Sequence, residues 1–341
     1  MGVDQMSARD RDSTGPELPA DAAGRRVTCD GERATVRYVG PVPPTAGLWL
    51  GVEWDNPDRG KHDGSHDGVQ YFTCRHPKGG SFVRPGKASF GIDYLTAVRE
   101  FYKFDVEEAF KEEHSISSKT VECIGFEELR FEKLTVVSLS KRAVSGPGAD
   151  GEIHKTTPNV QTLDLSENLL CCWDDVASIT QHMHQLKELM LSHNKLRLPS
   201  DPGAQSHAFS SLKLLALTSC SLTWTQVLQC APMWPQLEEL CVSQNNITEL
   251  QRPVDVLQSL KNLDLSSNPL VEDSVLRVAA LPGLEKLNLS RTGLSVLRFD
   301  DVPPGCKSAM FPCLKSLILD HNNISEVSLI ITVLFSSLHS H

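Results

Sequence analysis

Residues 160–170 read VQTLDLSENLL, with apolar side chains at Val160, Leu163, Leu165 and Leu170 and an asparagine at Asn168. The same frame returns at Leu134 (LTVVSLSKRAV), Leu186 (LKELMLSHNKL), Leu212 (LKLLALTSCSL) and Leu237 (LEELCVSQNNI), then at Leu260 (LKNLDLSSNPL), Leu284 (LEKLNLSRTGL) and Leu314 (LKSLILDHNNI). Successive starts lie 26, 26, 26, 25, 23, 24 and 30 residues apart, too regular for chance. These eight copies decide the architecture of everything after residue 133.

An alternating pair such as Leu163 and Leu165 belongs on the inward face of a short strand, and the later Leu170 fills the corner after the turn. Asn168, Asn194, Asn245, Asn268 and Asn322 share one frame position, where an amide can bond the backbone groups freed by the turn and stack as a ladder. One copy cannot bury its own apolar face, so the stack is the stable unit. Frame and period are those of leucine-rich repeats, which recur every 20 to 29 residues or so. Residues 134–326 are therefore expected to form an α/β solenoid. The position after the second leucine reads Ser140, Ser166, Ser192, Thr218, Ser243, Ser266, Ser290 and Asp320. This polar row is expected on the concave face, where a wide, shallow surface suits a protein partner better than a small substrate. The same row reads equally as plain solvated surface.

Residues 99–133 mix charged and aromatic side chains and are expected to form a connector and N-terminal cap. After Ile324 the chain runs SEVSLIITVLFSSLHSH, apolar and without turn or capping signals, so 327–341 read as an atypical, truncated tail. Residues 24–98 follow another grammar: RRVTC, ATVRYVG, GLWLGVEW, VQYFTC and SFVRPGK are short β-prone runs between Gly, Pro and Asp clusters. They imply a small antiparallel, barrel-like β domain. Residues 1–23 carry five acidic and two basic side chains without an apolar run, which reads as a disordered acidic N-terminus rather than a secretory leader.

The formal charge of -10 is spread as -3 over 1–23, +2 over 24–98 and -9 over 99–341. An acidic body argues against nucleic acid, while the basic front block suits an acidic peptide. The longest apolar stretch, Val327 to Phe335, falls far short of the ~20 residues that cross a bilayer, so no membrane partner is expected. The ten cysteines are scattered without a Cys-x-x-Cys pair, as expected of reduced thiols in a cytosolic protein.

Arg59 to Phe72, RGKHDGSHDGVQYF, holds two copies of His-Asp-Gly and raises the question of a metal site or a hydrolase dyad. Gly64 and Gly68 break any helix that would align His62 with His66. Ser65, His66 and Asp67 are merely consecutive, whereas a triad is a spatial arrangement. No nucleophile elbow, phosphate-cradling loop or zinc-protease motif occurs elsewhere. No catalytic residue, metal or cofactor is expected, and the chain reads as a non-enzymatic binding protein.

The run GLWLGVEWDNPDRGKHDGSHDGVQYFTCRHPKGGSFVR, residues 47–84, resembles the CAP-Gly domain, whose Gly-Lys-Asn-Asp-Gly hallmark stands here as Gly60, Lys61, His62, Asp63 and Gly64. Such a module followed by leucine-rich repeats resembles the tubulin-folding cofactors. In the matching members a ubiquitin-like domain follows the repeats, so this chain reads as a shortened form. The resemblance implies a groove that takes the C-terminus of an acidic peptide. Lys61 and Arg84 would attract it, Trp49 and Phe82 would wall off its terminal aromatic ring, and Asp63 would hold the loop that Gly60 and Gly64 allow to turn. His62 replaces an asparagine, so affinity is expected to rise as pH falls through its pKa; Lys87 stands where a polar amide is common. From the residues alone, Trp49 and Phe82 read also as core, and Lys61 and Arg84 as solvated charges. The implied partners are α-tubulin with its acidic C-terminal tail and other tubulin-folding cofactors, in the cytoplasm and on the cytoskeleton. The alternative is an adaptor that localises to microtubules without folding activity.

Overall fold

The computed structural model describes residues 18–102, 131–149, 151–297 and 310–324. It divides into two compact units, Met1–Phe90 and Gly91–His341. The first holds strands β1 (Arg26–Cys29), β2 (Glu32–Val42), β3 (Thr45–Trp54), β4 (Ser65–His66), β5 (Val69–Gln70) and β6 (Gly80–Val83). An antiparallel sheet runs β1-β2-β3-β6, and β4 pairs with β5 as a separate hairpin. Two of the three tight hairpins, β1–β2 and β4–β5, turn on an Asp-Gly pair with positive φ, Asp30–Gly31 at 52° and 82° and Asp67–Gly68 at 48° and 79°, whereas β2–β3 turns at Pro43–Pro44. That backbone twist matches the twist of the strands it joins. Thr28 and Ser89 exchange backbone hydrogen bonds of 2.9 Å, returning the chain after β6 to β1 and giving the sheet its barrel-like closure.

Strand alternation sorts the side chains. Leu50, Val52 and Trp54 turn inward onto Val27, Cys29, Ala34 and Val36, leaving Trp49, Gly51 and Glu53 on the other face. Buried Arg26 is held by Asp55, at 2.6 Å for one nitrogen, and by Thr35 at 3.1 Å. Two expected boundaries move. Leu18 packs on this core and Ala22 is buried, so 18–23 are part of the unit rather than a disordered tail; residues 1–17 lie outside the described residues. At the other end the unit stops at Phe90, not Val98.

The second unit begins with β7 (Ile92–Asp93), which pairs in parallel with β9 (Val144–Gly146). Helical residues 94–102 follow, and Asp93 caps them by accepting the Thr96 N–H at 2.9 Å. Tyr94, Leu95, Ala97 and Val98 are buried in the core of the repeats. The cover of the first repeat therefore begins at 91 rather than 99; of the expected cap 99–133, Phe101, Tyr102 and Phe131 pack on the same core, and 103–130 lie outside the described residues. The reason is that the apolar positions fall just before the charged stretch. Tyr102 reaches the edge of the first repeat strand, where its hydroxyl accepts the Ser138 N–H at 3.1 Å. An unpaired strand edge is an aggregation hazard that such a contact blunts.

The eight copies of the frame become eight parallel strands in one sheet: β8 (Val136–Ser138), β10 (Thr162–Asp164), β11 (Glu188–Met190), β12 (Leu214–Ala216), β13 (Glu239–Cys241), β14 (Asn262–Asp264), β15 (Lys286–Asn288) and β16 (Ser316–Ile318). Their central residues stay in register: Val137, Leu163, Leu189, Leu215, Leu240, Leu263, Leu287 and Leu317. All but Leu317 are buried. Opposite the sheet lie helices such as Trp173–Thr180 and Trp224–Cys230, the latter opened by a capping box between Thr223 and Gln226. Trp173, Trp234 and Phe209 fill the layer between, with Trp173 centroids 5.4 Å and 6.0 Å from the other two.

The asparagine ladder sits at the turn. Asn268 Oδ1 accepts the N–H groups of Asn245 and Ile247 at 2.9 Å and 3.0 Å, and its Nδ2 donates to the carbonyls of Val242 and Leu265 at 3.0 Å and 2.8 Å. Asn168, Asn245 and Asn322 repeat the pattern. Where the sequence departs, Thr292 donates its hydroxyl to Leu289 O at 2.7 Å and Cys220 its thiol to Leu191 O at 3.4 Å. Asn194 is incomplete: its Nδ2 bonds Leu165 O and Leu191 O, but its buried Oδ1 has no partner. The expected repeats thus stand, while 298–309 and 325–341, including the tail at 327–341, lie outside the described residues.

Candidate functional site

Three backbone hydrogen bonds tie the loop Gly60–Gly64 to β6. Lys61 and His62 N–H both donate to Gly80 O, at 2.7 Å and 3.1 Å, and Gly80 N–H donates to His62 O at 2.8 Å. Both terminal glycines are sterically required. A Cβ on Gly60 would lie 1.9 Å from Lys78 O, and Gly64, at φ 102°, would place one 2.0 Å from Phe72 O. Asp63 Oδ1 accepts the Ser65 N–H at 3.0 Å and its hydroxyl at 2.5 Å, and these bonds hold its carboxyl below the usual range. The second His-Asp-Gly copy supplies the β4–β5 turn, and the strand expected over VQYF is only Val69–Gln70.

His62 ends up stacked on Phe82, with centroids 4.9 Å apart and planes at 29°. Its Nδ1 accepts the Gly64 N–H at 3.0 Å, leaving the ring proton on Nε2. Burial lowers the His62 pKa below 6.5; Asp63 opposes this, while His66 and Lys61 add to it. The ring is neutral at neutral pH. Its protonation therefore falls at acid rather than neutral pH, and a proton on Nδ1 must break the Gly64 bond.

Phe82 is the hub of a half-buried aromatic cluster on this face. Besides His62, it meets Tyr71 at 5.4 Å, Phe72 at 5.5 Å, His66 at 6.2 Å and Tyr38 at 6.4 Å, mostly edge to face. Tyr38, Tyr71 and Phe72 escaped the sequence reading. The available signal was strand alternation, which puts Tyr38 and Phe82 on either side of Gly51 across three paired strands. Trp49 and Phe82 are half-buried rather than core. One step along the sheet, the Arg84 guanidinium lies 3.7 Å over the Trp49 ring and donates to Ala46 O and Leu48 O at 2.9 Å and 3.2 Å. Lys61 and Lys87 are exposed, Lys87 at the end of the turn Pro85–Lys87. Beside the aromatic cluster a recess of about 420 Å³ is lined by Arg37, Glu53, Tyr71, Phe72, Thr73, Cys74 and Arg75.

In the repeats the polar row lies two residues past each strand, inside the turn. Ser166, Ser192, Thr218, Ser266 and Ser290 are half-buried and Ser243 is buried. Several hydroxyls are committed internally: Thr218 to Ser243 at 2.9 Å, Ser290 to Asn288 at 2.7 Å, and Ser192 to the Thr218 N–H at 3.2 Å. The strand residues flanking each central leucine form the open face instead, because side chains alternate along the strand. Among them Asp164, Glu188, Glu239 and Asp264 are acidic and Lys286 is basic. A shallow recess of about 220 Å³ lies there, lined by Leu214, Glu239, Cys241, Asp264 and Lys286 among others.

Comparison with known proteins agrees with this arrangement. Residues 23–88 match the CAP-Gly domain family. Over 310 residues, 90% of this chain and 60% of the relative, the sequence is 60% identical to "Tubulin-specific chaperone E" of Danio rerio. Over 320 residues, 91% of this chain and 60% of the relative, it is 49% identical to the Homo sapiens protein of the same name. The chain thus spans about 60% of the length of these relatives. Among solved structures, "Bik1 CAP-Gly domain with ETF peptide from Bim1" is 33% identical over 20% of this chain and 90% of that one, with a TM-score of 0.19.

Proposed function

We propose that this chain, a homologue of the tubulin-specific chaperones E over about nine-tenths of its length, is a non-enzymatic tubulin-folding cofactor that binds α-tubulin through two surfaces. The front groove takes the acidic C-terminal tail, and the repeats hold the tubulin body and other cofactors while the αβ heterodimer is assembled or dismantled. The observation that carries the first contact is the Gly60–Gly64 loop, pinned on β6 beside a half-buried aromatic hub, with exposed Lys61 on it. A carboxylate meets a cation there, and a terminal aromatic ring meets Phe82, Tyr38 and Tyr71. Trp49 serves as the platform for Arg84, fixing that guanidinium at the groove end. The open face of the repeats, with four acidic residues against one lysine, suits a basic patch of the tubulin body rather than its acidic tail. Two weak contacts on one chain reinforce each other through effective concentration. Such a cofactor works in the cytoplasm, next to the cytoskeleton.

The test is titration of the full chain with a peptide ending in Glu-Glu-Tyr and with the same peptide lacking the tyrosine. Tighter binding of the first, weakened by Lys61→Ala, is expected; equal binding of both would remove the groove assignment.

A further inference from the structure

Outside both surfaces, two adjacent thiols and a carboxylate converge at the start of helix Trp173–Thr180. The Sγ atoms of Cys171 and Cys172 and a carboxylate oxygen of Asp175 all lie within 4.8 Å of one another. Cys172 Sγ is 3.0 Å and Cys171 Sγ 3.9 Å from Asp175 Oδ2. A tetrahedral zinc ion, with bonds of about 2.0 to 2.3 Å to oxygen and sulfur, spaces its ligands by roughly 3.3 to 3.8 Å, so these atoms need move little to share one. We propose that Cys171, Cys172 and Asp175 form a three-ligand site for a thiophilic divalent cation, with zinc the physiological occupant.

The backbone presents this set. Cys172 is the N-cap residue, extended at φ -151° and ψ 158°, and Asp175 is the third helical residue, whose side chain folds back over the cap. Cys171 is fixed by the neighbouring repeat, its carbonyl accepting the Arg197 N–H at 2.9 Å, and a parallel bridge joins Cys172 to Arg197. Buried Leu170 and Trp173 on either side anchor the pair in the core.

Charge is the second argument. Two thiolates, one carboxylate and a dication sum to minus one. The Arg197 guanidinium, with Nη2 3.8 Å from Cys171 Sγ, balances that charge as an N–H···S donor instead of repelling the ion. The helix N-terminus further favours thiolates. Ligation by two thiolates releases thiol protons, so cation binding weakens as pH falls. The scattered cysteines led the sequence reading to expect no metal; here the thiols are adjacent and the third ligand lies one helical turn on.

The reduced full chain is titrated with cadmium, which reports thiolate ligation through its ultraviolet sulfur-to-metal charge-transfer band. A stoichiometric band, displaced by zinc and lost in both Cys171→Ser and Cys172→Ser, is expected, with Asp175→Asn raising the dissociation constant about tenfold or more. As a second readout, zinc should raise the melting temperature of the native chain but not of Cys172→Ser. No band, or an equal band in Cys172→Ser, overturns the proposal.

Discussion

At His62 a single substitution within the loop hallmark has become part of an aromatic stack. Its folded pKa lies below 6.5, the unfolded value, so the unfolded chain binds more protons as pH falls through that range. The His62 contribution to stability is therefore complete above about pH 6.5 and declines on acidification. Proton NMR should show a histidine resonance, missing in His62→Asn, that titrates below 6.5. A value above 6.5 would mean that the Gly64 bond and the Phe82 stack do not persist in solution. The loop residues themselves were readable from sequence because glycine, lysine and aspartate recur there in a fixed order. The stacking of Arg84 on Trp49 was not, since it depends on the register that sets β6 against β3.

At the scale of the repeat, the turn decides stability. Removing Asn268 by Asn268→Ala strands the N–H groups of Asn245 and Ile247 and the Leu265 carbonyl, while Val242 O keeps the Asn245 amide at 2.9 Å; each unsatisfied group costs about 1 to 3 kcal/mol. The melting temperature should fall further than for Asn194→Ala, whose Oδ1 already lacks a partner. Equal losses would show that the amide's acceptor side contributes nothing. The same turn places Lys141, Glu167, His193, Ser219, Gln244, Ser267, Arg291 and His321 at positive φ, between 56° and 63°. Left-handed backbone costs roughly 1 to 2 kcal/mol without glycine. Ser267→Gly should thus raise the melting temperature, and Ser267→Val should lower it by more. This left-handed column was invisible in the sequence because varied side chains occupy it. The leucines and asparagines announced their places because burial and orphaned backbone groups leave little choice of residue type.

Across the whole molecule, the division at Phe90 makes a direct demand on fragments. A fragment starting at Gly91 should melt cooperatively, whereas one starting at Arg99 loses buried Tyr94, Leu95, Ala97 and Val98 and should be less stable or aggregate. Similar melting of the two would place the cap elsewhere. A second long-range feature ties repeats together. Lys213 and Lys261 flank Glu238 at 2.8 Å and 2.6 Å, and Lys315 meets Glu285 at 2.9 Å. The two lysines hold the Glu238 carboxyl down to about 2, so its contribution is present above the ordinary glutamate range and lost as pH falls towards that value. Glu238→Gln should lower the melting temperature at neutral pH and low salt, and the difference should shrink in high salt. No difference at low salt would mark the ladder as ornamental to stability. The sequence showed the number of repeats and their order. It did not show where the cap begins, because the cap follows no period and is recognised only by what it covers.

The Tyr102 contact with Ser138 has a consequence in time. Residues 92–102 leave the ribosome before any repeat, and domains form from the N-terminal side during synthesis. The nascent sheet thus meets its stopper first and can grow in one direction only. Among the described residues, the edge left for growth at every stage is the newest strand, and the next copy of the frame to emerge is the one that pairs with it.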